Sequence, residues 1–138
     1  MKLIVANFKM NLLIDDINNY LKEITKYHFN NVVFCPSDLY LKTFVDNNLG
    51  NVIIAYEPIY AIGSGIVPEN NVIYKIVEYI KKYVFDKYGV NIKVLYGGSV
   101  NNNNILNLET IANLDGYLIG GCSIKVLEFI DLIEKINN

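Results

Sequence analysis

The chain has 138 residues, 52% hydrophobic and 19% charged, which suits a single globular domain with a sizeable core and excludes a disordered polypeptide. Its formal net charge is -2 and all 12 basic residues are lysines, so a nucleic-acid surface built on basic patches and bidentate arginines is not expected. No apolar run approaches about 18 residues and no charged leader precedes the first strand, so a cytoplasmic protein without a membrane span is expected.

In chain order, Lys2 to Ala6 form a short apolar strand. Asn7 and Lys9 follow at its carboxyl end, two residues apart, so an extended backbone points both the same way. Ile17, Tyr20, Leu21 and Ile24 recur at helical spacing and predict a helix over residues 15 to 27. His28, the sole histidine, comes next, in a helix-to-strand connection. In a parallel α/β array that connection lies on the face opposite the chemistry, so His28 reads as a loop residue. Val32 to Cys35 is the second strand. Pro36 and Ser37 open a helix through Leu41, Phe44 and Val45 that stops near Gly50.

Val52 to Tyr56 are apolar throughout, without alternation, as in a parallel strand buried on both faces. Glu57 stands at its carboxyl end, where parallel folds place their chemistry, and Pro58 restricts the backbone immediately after it. Taken alone, such a carboxylate is more often solvated or salt-bridged. The apolar loop Ile59 to Ile62 closes on Gly63-Ser64-Gly65, whose glycines let main-chain N–H groups approach an anion, so the stretch suits a cover over a phosphate.

Pro68 and Glu69 begin a helix with an apolar stripe at Ile73, Ile76, Val77, Ile80 and Val84, stopped by Tyr88-Gly89. The strand Ile92 to Tyr96 leads into Gly97-Gly98-Ser99. The strand Gly116 to Ile119 leads into Gly120-Gly121 and a last helix with Val126, Phe129, Ile130 and Ile133 on one face. Both glycine turns are expected to open helices and so to form an anion site. The run Asn101 to Asn104 is a compositional feature to which no function attaches. One histidine and two separated cysteines leave no converging metal ligands, and Cys35 and Cys122 read as buried thiols.

Four of these stretches together resemble triosephosphate isomerases: Ala6-Asn7-Phe8-Lys9-Met10-Asn11, the segment from Glu57 to Gly65, Leu95-Tyr96-Gly97-Gly98-Ser99-Val100, and Asp115 to Gly121. The resemblance implies an α/β fold of parallel βα units from a TIM barrel. It also implies cofactor-free interconversion of dihydroxyacetone phosphate and glyceraldehyde 3-phosphate in glycolysis and gluconeogenesis. By the same resemblance Glu57 is the base, Lys9 and Asn7 steady developing charge, and Gly63, Ser99, Gly120 and Gly121 hold the phosphate.

A complete barrel takes about 250 residues, so this chain lacks roughly three βα units. The gap falls between Asn48 and Asn51, removing strands three to five with the family's catalytic histidine and its dimer loop. The five remaining strands are expected in the order six, seven, eight, one, two. They leave two edges that invite pairing with another chain. A smaller closed barrel, an open sheet and a self-associated assembly are all compatible with that order. So are an impaired isomerase, a non-catalytic phosphate-binding remnant, and a fragment that must assemble with another chain.

Overall fold

A computed structural model describes residues 2–7, 14–24, 26–35 and 53–137. Strand β1 (Leu3–Asn7) is followed by helix α1 (Ile14–Ile24) and strand β2 (Val32–Cys35). Strand β3 (Ile53–Tyr56) leads through a 3₁₀ turn at Ile59–Ala61 to helix α2 (Asn70–Tyr88) and strand β4 (Lys93–Gly97). A short helix α3 (Ile105–Leu108), strand β5 (Gly116–Ile119), a 3₁₀ turn at Gly121–Ile124 and helix α4 (Val126–Asn137) complete it. The helix expected over residues 36 to 50 and the gap expected between Asn48 and Asn51 lie outside the described residues.

The strands form one parallel sheet in the order β2-β1-β5-β4-β3. Read from β3, this is the neighbour order six, seven, eight, one, two expected from the sequence. Among the described residues β2 and β3 are the two edges, and no pairing joins them.

Alternation along the strands sends Ile4, Ala6, Val94, Tyr96, Tyr117 and Ile119 to one face. There they pack with Tyr20 and Ile24 of α1, Ile73 and Val77 of α2, and Phe129, Leu132 and Ile133 of α4. This is the main core. Fully burying one of these Ile, Leu, Val or Phe side chains contributes about 1.5–3 kcal/mol relative to exposure, so the helical stripes are fixed to the sheet by burial rather than by propensity. Gly89 ends α2 in a left-handed conformation (φ 68°), its N–H donating to Phe85 O at 2.8 Å. Among the described residues no helix is long and apolar enough to cross a membrane.

Strand β3 departs from expectation. Its residues alternate between exposed and half-buried, and Ile53 is 45% exposed, where burial on both faces was expected. The reason is position: an unbroken apolar run specifies a strand, but among the described residues β3 pairs with β4 alone and occupies the sheet's end. At the opposite flank, buried Asn31 donates through Nδ2 to Lys2 O and to Asn137 Oδ1, each at 2.9 Å, joining β1, the α1–β2 connection and α4.

Candidate functional site

Because every strand runs the same way, Asn7, Glu57, Gly97 and Gly120 emerge at one end of the sheet. A cavity of about 320 Å³ opens there, and its wall includes Asn7, Glu57, Gly63, Ser99, Gly120 and Gly121. Those are six of the seven candidate residues. The seventh, Lys9, lies outside the described residues. His28 is exposed in the connection preceding β2, at the other end of the sheet, as its place in the chain implies.

Glu57 follows β3 directly and precedes buried Pro58, whose φ of -64° is the value its ring imposes. Its carboxylate is exposed and, among the described residues, takes no ion pair or hydrogen bond. The side chain lies over Gly97: a Cβ there would stand 2.7 Å from Glu57 Cγ and 3.0 Å from Oε1. Gly97 thus provides room for the carboxylate, a role distinct from relaxing the backbone.

The loop after Glu57 is fastened through Ser99. Ser99 Oγ donates to Ala61 O at 2.7 Å and accepts from the Gly65 N–H at 2.9 Å, gripping both ends of the cover. Within the cover, Ser64 Oγ donates to Tyr60 O at 2.7 Å. Gly98 (φ 132°) makes the approach sterically feasible, since a Cβ there would meet Ala61 Cβ and Tyr96 Oη at 3.0 Å each. Tyr96 Oη donates to Gly98 O at 3.1 Å, and burial raises its phenol's pKa. The tip of the cover is apolar and open to solvent, with Ile59 89% exposed.

The sequence reading missed this role of Ser99, whose one hydroxyl proton is committed to Ala61. A serine after two glycines signals a tight turn, and nothing in its spacing names the loop it ties. The reading also expected both glycine turns to open helices. After β4 the chain instead makes an asparagine turn before the short α3, because the amides of Asn101 and Asn104 bond local main chain in competition with a helical ladder. After β5, Gly120-Gly121 enter the 3₁₀ turn, and α4 starts only at Val126. A Cβ at Gly120 or Gly121 would meet nothing within 4 Å, so these glycines leave bare main chain at the cavity wall.

Cys122, also in the wall, is buried with a free thiol, as expected; the side chain of Cys35 lies outside the described residues. Burial, and then the Glu128 carboxylate, push the Cys122 thiol up from 9.0 to about 11. An unfolded chain therefore ionises this thiol first, so the associated stability is present below about pH 9 and is lost as pH rises towards 11. Buried Tyr20, Tyr96 and Tyr117, all raised mainly by burial, act in the same direction. The melting temperature is expected to fall steadily above about pH 9, and a flat profile through the alkaline range would contradict the burial of these groups.

The sequence profile described as Triosephosphate isomerase matches residues 44–136. Similar proteins, each named triosephosphate isomerase, include that of Ureaplasma parvum serovar 3, 44% identical over 101 residues that cover 67% of this chain and 42% of the relative. That of Buchnera aphidicola subsp. Baizongia pistaciae is 40% identical over 95 residues, covering 67% and 36%. That of Francisella tularensis subsp. mediasiatica is 38% identical over 102 residues, covering 72% and 40%. The chain spans about two fifths of the length of these curated relatives. The profile match begins at residue 44, so the motif from Ala6 to Asn11 stands outside it. With a profile match over most of its length and the strand order of one arc of a barrel, this shortened chain belongs to the triosephosphate isomerase family.

Proposed function

We propose that the chain binds a phosphorylated triose in the cavity at the carboxyl ends of its strands and moves a proton between adjacent carbons of that substrate. Glu57 is the base and no cofactor takes part. Its carboxylate removes a proton from C1 of dihydroxyacetone phosphate, the C1–H electron pair forms the C1–C2 double bond of an enediolate, and the C2 carbonyl oxygen takes the negative charge. The protonated Glu57 trades its proton with solvent and returns one to C1, giving exchange, or delivers a proton to C2, giving glyceraldehyde 3-phosphate once a proton has also moved between the two oxygens. Gly63, Ser99, Gly120 and Gly121 hold the phosphate, Ser99 through its main chain because its hydroxyl is engaged with the cover. Asn7 and Lys9 steady the charge on the enediolate.

One observation carries this reading: a carboxylate, an amide and bare glycine turns share the wall of a single cavity. The test is solvent deuterium exchange at C1 of dihydroxyacetone phosphate, followed by NMR. The purified chain is expected to catalyse slow exchange, and Glu57→Gln, which keeps the shape and removes the base, to return it to the solution background. A Glu57→Gln variant exchanging as fast as its parent would remove Glu57 from the role.

The second reading is a non-catalytic phosphate binder, or a fragment completed by another chain. It is favoured by the placement of the sole histidine, His28, away from the cavity and by the exposed edge β3. It predicts that millimolar phosphate raises the melting temperature while exchange stays at background. Exchange per chain that grows with protein concentration would point to assembly.

A further inference from the structure

Among the described residues Ser99 is the one non-glycine with a positive φ, at 51°, a conformation that L side chains resist. Two asparagines of the run that follows reach back to its carbonyl. The Ser99 carbonyl oxygen accepts from Asn101 Nδ2 at 2.9 Å and from Asn104 Nδ2 at 2.8 Å. The other end of each amide is engaged as well: Asn101 Oδ1 accepts from the Asn103 N–H at 2.8 Å, and Asn104 Oδ1 from the Asn101 N–H at 2.9 Å. Each side chain therefore bridges the Ser99 carbonyl to a main-chain donor of the turn that follows. Beyond Ser99, its hydroxyl grips the cover at Ala61 and Gly65.

We propose that Asn101 and Asn104 are positioning residues that hold Ser99 in its left-handed conformation and thereby set the point from which its hydroxyl fastens the cover over the cavity. Their contribution at Ser99 is separable from their contribution to the turn. Aspartate keeps the acceptor that serves Asn103 or Asn101 N–H, but it loses the donor to Ser99 and turns a carboxylate oxygen towards the carbonyl. A pure turn-capping role tolerates that exchange; a hold on Ser99 does not.

The readout is hydrogen exchange at the Gly65 amide in the full chain, which needs no substrate and so stands apart from any test of activity. Asn101→Asp and Asn104→Asp are each expected to speed Gly65 exchange by about tenfold, the scale of one lost hydrogen bond with a repulsive contact added, while amides in the middle of α2 and α4 keep their protection. Ser99→Ala should speed Gly65 exchange at least as much, and Asn103→Asp, at an exposed position, should not. Gly65 exchange unchanged in both aspartate variants, or acceleration shared equally by α2 and α4, would overturn the proposal. Should either variant fail to fold, the parent chain still decides. The side-chain NH₂ protons of Asn101 and Asn104 are expected to exchange several-fold more slowly than those of Asn103, and equal rates would refute the hold.

Discussion

Gly116→Ala is expected to lower the urea midpoint of unfolding steeply. Gly116 lies in the central strand β5, in register with Leu3 of β1 on one side and Leu95 of β4 on the other, at φ 155°. A Cβ there would stand 2.0 Å from Leu3 O and 2.8 Å from Leu3 N and C. All three atoms are main chain, so no side chain can rotate away. Relief requires β1 to move off β5, breaking the pairing on which the sheet turns. The cost expected from backbone strain and lost pairing is roughly 4 kcal/mol or more, against a whole-domain stability of about 5–15 kcal/mol. Circular dichroism with urea titration measures it, with Gly120→Ala as the comparison, since a Cβ at Gly120 meets nothing within 4 Å. Equal midpoints for the two variants would contradict the close approach of β1 and β5.

Full interconversion of the two triose phosphates is expected to run at least about 10²-fold slower than in a full-length relative, even where exchange at C1 persists. Abstraction needs one base and a held substrate, whereas isomerisation also needs a donor that stabilises the enediolate and carries a proton between its oxygens. Loss of one preorganised donor of this kind costs on the order of 10²–10³ in kcat. The chain's single histidine lies at the opposite end of the sheet, away from the cavity. Steady-state kinetics on parent and His28→Ala decide the matter, with the two expected to be equal. A turnover matching that of a full-length relative, or its loss in His28→Ala, would mean that the site is built differently.

What was legible in the sequence was whatever repeats along the chain. The apolar stripe of α2 placed Ile73 and Val77 in the core, Gly89 marked its end, and short apolar runs located β2 and β5. Helix α1 stops at Ile24, short of residue 27, and Leu132 joins the core beside the residues singled out in α4, because a periodic pattern fixes a face better than its limits. The exposure of Ile53 was hidden, since hydrophobicity records what a segment is and not which neighbour it has lost. At the site, residues at strand ends could be placed together because parallel topology gathers them. The grip of Ser99 on Ala61 and Gly65, and of Asn101 and Asn104 on Ser99, could not. Side-chain bonds to main chain follow no period, and polar residues in a turn look alike in one dimension.

The position of β1 between β2 and β5 has a consequence in time. Its first partner is near in sequence, as the bond from Asn31 to Lys2, 29 residues apart, illustrates. Its second is almost a chain length away, as with Lys2 Nζ and Tyr117 Oη, 115 residues apart. At about 5–20 residues per second, a growing chain holds β1 and β2 unpartnered on one side for several seconds before β5 is made. Contacts of such high sequence separation slow folding, because the loop they close must be ordered before they reward it.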